Sequence, residues 1–287
     1  MSTTFCQQLS ILILIIKIKA KLWYDTRNII LFLSEQRGSM RTDQPVSHLP
    51  TKSRKLVILP LGSCEQHGSY LPIDTDLRIA QLLAEKLTNA LPDSDTLLLP
   101  AIPFSCSWEH KGLGTIALNV STLAAILHDI AHSLKKWTTP VLLLIINWHG
   151  GNSLLGSLAS EITAREEIPT AVLNASSEAG RIWNRSHTTN IDDIHAGAME
   201  TSIMQAYWPE IVKDHIPTTA HCVPDVAPAT VQSVLQALGS YTVTANGIWG
   251  APEQANPDEG KELIDNLITN IREQTLRLLE LVNTHQR

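Results

Sequence analysis

Cysteine is scarce. Four are scattered through the 287-residue chain (Cys6, Cys64, Cys106 and Cys222), and no Cys-x-x-Cys pair occurs. That excludes a disulfide scaffold or a thiolate zinc finger and leads us to expect free thiols in a reducing cytoplasm. Long apolar runs are also missing near the N-terminus: ILILII, residues 11–16, has six residues, far from the ~20 of a membrane span. No membrane association is expected. No basic cluster is present either; 22 Lys and Arg face 28 Asp and Glu, for a net charge of −6, so nothing grips nucleic-acid phosphates. Neither a Gly-x-Gly-x-x-Gly loop nor a Walker loop occurs, which speaks against a nucleotide site. The absence of a Gly-x-Ser-x-Gly elbow speaks against a serine hydrolase.

What is present is an alternation of apolar runs and amphipathic segments. KLVILPLG, TLLLPAIPF, PVLLLIINWHG and PTAVLNA read as strands, the third as central. Between them, Ile79, Leu82, Leu83, Leu87 and Leu91 recur at helical spacing and stop at Pro92. Leu123, Ile126, Leu127, Ile130 and Leu134 give a second helix, with Ser121 or Thr122 as its cap. Further helices are predicted from about Asn152, over GAMETSIMQAYW up to Pro209, and from Pro257 to about Leu281. Such alternation predicts an α/β fold with a mostly parallel sheet covered on both faces. Residues 1–50 are expected to be an N-terminal extension or a misassigned start, with Met40 as a candidate first residue, and residues 51–287 to form one domain.

Eleven histidines are generous for this length and prompt a search for metal ligands. The polar clusters fall at the carboxyl ends of strands, the edge on which open α/β sheets bind ligands. After KLVILPLG, Glu65 and His67 stand two apart and point the same way in extended chain, while Gly68 and Pro72 let the chain bring Asp76 back beside them. Alternatively, Asp76 caps a helix and Glu65 is a surface residue. In NWHGGN, His149 is either structural or a ligand, and Gly150 and Gly151 give backbone access to a bound substrate. In DDIHAGAMETS, Glu200 completes a metal cage with His195 as proton donor or acceptor, or Asp193 caps a helix whose solvated face carries Glu200. Oxygen and imidazole donors suit zinc, manganese or iron(II). Trp108, Trp148 and Trp183 are candidates for the wall of a substrate pocket.

The blocks GSCEQHGSYLPIDTD, EHKGLGTIALN, NWHGGN, HAGAMETS and NGIWGAPEQANPDEGKEL resemble the motifs of the creatininase (creatinine amidohydrolase) family. The resemblance implies a three-layer α/β/α domain, often a hexamer and at least a homo-oligomer, that hydrolyses a C–N bond at two divalent metal ions. Carried over by position, Glu65, His67, Asp76 and His149 match ligands, with Asp76 bridging both ions. Glu200 matches a further ligand, and His195 the proton-transfer histidine. Gly150, Gly151 and Trp148 are assigned to the small-molecule amide substrate. One departure bears on substrate: Gly151 stands where creatininase proper has Glu in a His-x-Glu block, and Ser69 and Tyr70 replace a usual Pro-His. Creatinine is therefore disfavoured. The expected reaction is hydrolysis of a non-peptide amide or formamide. The alternatives are cleavage of a specific peptide, as in mycofactocin maturation, and a non-catalytic metal-containing binding protein.

Overall fold

The computed structural model describes residues 40–41, 56–91, 96–112, 114–138, 140–187, 193–212, 216–218, 225–244 and 246–285. The apolar run at 11–16, Cys6, Cys222 and the boundary drawn between residues 50 and 51 lie outside them. Five strands are described: β1 (Met40–Arg41), β2 (Leu56–Leu61), β3 (Thr96–Leu98), β4 (Leu142–Asn147) and β5 (Thr170–Asn174). They form one sheet in the order β1-β3-β2-β4-β5, and every pairing is parallel.

β2 and β4 are buried along their whole length, as continuous apolar runs in a sheet covered on both faces must be. Alternate side chains serve opposite faces. Leu56, Ile58, Leu144 and Ile146 enter one core with helices α1 (Thr75–Ala90), α4 (Ala175–Ser186), α5 (Ala198–Tyr207) and α8 (Pro257–His285). Val57, Leu59, Leu61, Leu143 and Ile145 enter the other with α2 (Val120–Trp137) and α3 (Leu155–Glu166). This is the three-layer α/β/α arrangement, with PVLLLIINWHG interior as expected. Two short helices, α6 (Val231–Leu238) and α7 (Ser240–Val243), and two 3-10 turns, Trp108–His110 and Pro252–Gln254, complete the described elements.

The capping of α2 differs from expectation. Ser121 and Thr122 lie inside its first turn, because Asn119 already holds the extended conformation of a cap residue (φ −70°, ψ 150°) and the helix starts one residue later. In TLLLPAIPF only Thr96–Leu98 is strand; beyond Pro100 a single bridge joins Ile102 to Leu61. Helix α4 follows β5 without a loop, in a mostly polar stretch for which the sequence pattern predicts no helix.

Two features of this frame position the site. Leu61 pairs with Asn147, so the chain leaves β2 and β4 side by side at one sheet edge, and Trp148 N–H extends the ladder to Leu61 O at 3.0 Å. Helix α5, which carries Glu200, is clamped against α8 where Gly260 meets its backbone: a Cβ there would lie 2.3 Å from Ser202 C and O. Gly260→Ala must push the two helices apart, and overpacking of this kind costs about 1–3 kcal/mol. A lowered melting temperature, read by differential scanning fluorimetry, is the expected result.

Candidate metal centre

The polar residues at the ends of β2 and β4, the first turn of α1 and the start of α5 converge on a cleft of about 310 Å³. Glu65, His67, Asp76, His149, His195 and Glu200 are all buried. The surface reading of Glu65 and the solvated-face reading of Glu200 are thereby set aside. Asp76 does not cap α1; its oxygens face His67 and His149.

The tautomers follow from the outward partners of each ring. His67 Nδ1–H donates to the carbonyl of Glu65 at 3.1 Å, which leaves the Nε2 lone pair facing Asp76 Oδ1 at 3.2 Å and Glu200 Oε2 at 3.6 Å. That nitrogen is fully buried and has no hydrogen bond. His149 Nε2–H donates to the carbonyl of Cys106 at 3.1 Å, and its Nδ1 faces Glu65 Oε2 at 3.0 Å and Asp76 Oδ2 at 3.2 Å. Each imidazole thus aims an acceptor at two carboxylate oxygens. Lone pairs brought together in a buried site repel unless a cation lies among them. The two nests share Asp76, one oxygen to each.

The protonation preferences carry the same message. Burial opposes charge on His67, yet Asp76, Glu200 and Glu65 outweigh it and push the imidazole up to about 10. Burial also opposes charge on His149, but Glu65, Asp76 and Glu109 hold it well above its ordinary value. Burial pushes Glu200 up to about 7, against the opposing pull of His67. Without metal, protons occupy the places where positive charge is required.

Outer groups fix the carboxylates. Ser63 Oγ donates to Glu65 Oε2 at 2.5 Å and lies 3.2 Å from Asp76 Oδ2. Glu200 accepts from Trp148 Nε1–H at 3.1 Å and from Ala196 N–H at 2.8 Å. Trp148, assigned above to substrate, lines the cleft from a fully buried position and holds Glu200. Trp108 is 55 % exposed in an adjoining outer chamber, whereas Trp183 is buried away from the cleft under a stacked His187. Asp193 is not the cap residue of α5, which is Gly197, although its carboxylate accepts from Met199 N–H at 3.2 Å. Of the two glycines, Gly150 has open space around it, while Gly151 lies under Glu109.

Three further residues, His110, Gln66 and Glu109, face these groups. His110 Nε2 stands 3.5 Å from Glu65 Oε1, and His195 Nδ1 stands 3.7 Å from the same oxygen. His195 Nε2–H donates to the Gln66 carbonyl at 2.7 Å, so its Nδ1 lone pair faces the centre. Burial and the neighbouring imidazoles of His110 and His67 keep His195 well below its ordinary value, hence neutral. Gln66 Nε2 sits among His110 Nδ1, His195 Nε2 and the Gly247 carbonyl at 3.0–3.2 Å. Glu109 lies 3.4 Å from His149 Nε2. Glu109 and His110 open the quoted EHKG block, the signal from which they could have been found.

The model of the creatininase family, described as creatinine amidohydrolase, matches residues 40–275. The chain belongs to the creatininase family. Its relatives include the mycofactocin precursor peptide peptidase of Mycolicibacterium smegmatis, 30 % identical over 77 % of this chain and 85 % of that protein. The creatinine amidohydrolase of Pseudomonas putida is more distant, at 22 % over 57 % of this chain and 70 % of that protein. Among solved structures, a creatininase described as its Mn form aligns with a TM-score of 0.61 at 19 % identity, over 77 % of this chain and 90 % of its own. A mutant creatininase described as Zn–Zn type also aligns. This creatininase-family chain is a hydrolase with an α/β fold and ligand-capable groups of its own, among them Glu65–His67–Asp76 and His67–His195–Glu200. Among the described residues no helix is long and apolar enough to cross a membrane.

Proposed function

We propose that this protein is a metal-dependent amide hydrolase with two divalent ions per chain, and that its substrate is a short peptide cleaved at one C–N bond. The observation that carries the metal reading is the pair of acceptor nests sharing Asp76. Glu65, Asp76 and His149 would hold one ion, and His67, Asp76 and Glu200 the other. Zinc, manganese and iron(II) all suit these donors. When bound, such ions lower the pKa of water towards ~7 and polarise a carbonyl. The chain's own residues do the rest. Ser63 orients Glu65 and Asp76, Trp148 and the Ala196 amide fix Glu200, and the neutral His195 presents Nδ1 to take up or deliver the proton that the leaving nitrogen needs.

The peptide reading is supported by the peptidase named among the relatives at 30 % identity over most of the chain, and by an outer chamber that shares Glu109, Gly151, Gln232 and Leu235 with the inner cleft. A small non-peptide amide or formamide is the second reading, favoured by the family description. Metal-replete protein incubated with short peptides, cyclic amides and formamides, with products followed by mass spectrometry, separates them. Peptide cleavage abolished by a chelator and restored by metal is expected. Turnover of the cyclic or formamide compounds alone would reject the peptide reading, and no turnover of any compound would favour a binding protein. His195→Ala is expected to keep its metals and to lose about 10²–10⁴-fold in turnover. Unchanged turnover would remove His195 from proton transfer. A homo-oligomer in the reducing cytoplasm is proposed as its working form, and light scattering tests the assembly.

A further inference from the structure

We propose that Glu109 is a positioning residue for His149, reaching in from a different segment to fill the space left by the missing side chain of residue 151. The inference rests on the metal reading above. Glu109 lies on the short turn Trp108–His110, outside every strand and α-helix described. A Cβ built on Gly151 would fall 1.8 Å from Glu109 Oε1, 2.5 Å from His149 Nε2 and 2.7 Å from the Cys106 carbonyl. The next glycine, Gly150, has nothing within 4 Å. Gly151 is therefore a steric requirement of the Glu109 carboxylate, whereas Gly150 is not.

The carboxylate and the Cys106 carbonyl flank one atom, the outer nitrogen of His149, at 3.4 and 3.1 Å. The carbonyl fixes the proton on Nε2. The carboxylate adds negative charge behind the ring, which raises the basicity of Nδ1 on the side facing Glu65 and Asp76. Its side chain is 15 % exposed, so little solvent screens that charge. Adjacent residues thus divide their work: His110 points inward to Glu65, and Glu109 grips His149 from outside.

The test is cobalt(II) binding to full-length, metal-free Glu109→Ala and Glu109→Gln, read by isothermal titration and by the visible d–d spectrum, with metal-free melting temperatures alongside. Loss of an outer partner of this kind weakens metal binding by about 10–100-fold. Glu109→Ala is expected to show that loss with an altered spectrum and a melting temperature like the parent's. Glu109→Gln, which keeps a carbonyl oxygen beside Nε2–H, should recover most of the spectrum and part of the affinity. Cobalt affinity in Glu109→Ala within twofold of the parent would overturn the proposal, as would an unaltered spectrum with only the melting temperature lowered. Failure of the parent protein to bind cobalt would instead overturn the metal centre itself, and the role of Glu109 with it.

Discussion

Replacing Asp76 with asparagine is expected to empty both metal positions and abolish hydrolysis while leaving the fold intact. Asp76 gives Oδ1 to the His67 nest and Oδ2 to the His149 nest, at 3.2 Å in each case. An amide cannot replace it. One of its two terminal atoms becomes a donor, so either His67 Nε2 or His149 Nδ1 is capped by an N–H instead of sharing a cation. The fall in activity should exceed the ~100-fold typical of losing an outer partner, because the lost group belongs to the ligand set. Glu200→Gln makes the contrast, since Glu200 faces only His67 among the two nest imidazoles. It should lose one ion and most activity. Metal per chain by plasma mass spectrometry and fold by circular dichroism check both variants; two ions at full rate in Asp76→Asn would remove the shared-carboxylate arrangement.

The parts of this molecule that were legible in the sequence are those whose physics is local. β2 and β4 had to be continuous apolar runs because both faces of a parallel sheet are covered, and α1, α2 and α8 carry wide apolar stripes. The convergence of Glu65, His67 and Asp76 with His149 follows from two neighbouring strands ending at one edge. Helix α4 was hidden because it is mostly polar: it buries a narrow line of Ala175, Ala179 and Trp183. The roles of His110 and Glu109 were hidden for a different reason. A tight turn sends two adjacent side chains in different directions, and no periodicity announces which way each will point. Gly151 illustrates the limit best. It lines the cleft beside Gly150, and the structure also sets a carboxylate from forty-two residues earlier in the chain against it. Only long-range contact reveals that.

Metal binding should become tighter as pH rises from near neutrality towards 9, by about tenfold per pH unit for each imidazole proton that a metal ion displaces. His67 is raised from 6.5 to about 10 in the folded, metal-free protein, and His149 is raised well above 6.5. The stabilisation from these imidazolium–carboxylate contacts is fully present below 6.5 and is lost as pH climbs through the folded value. Cations compete for the same carboxylates and require the rings neutral, so each bound ion displaces a proton. Glu200, pushed up to about 7, adds to the release at and below neutrality. Titration of zinc into metal-free protein at pH 8, repeated in buffers of different ionisation enthalpy, counts the protons directly. Net proton release is expected when both positions fill. Zero release would mean that His67 Nε2 and His149 Nδ1 do not meet the metals, and the nests around Asp76 would lose their meaning as a dinuclear site.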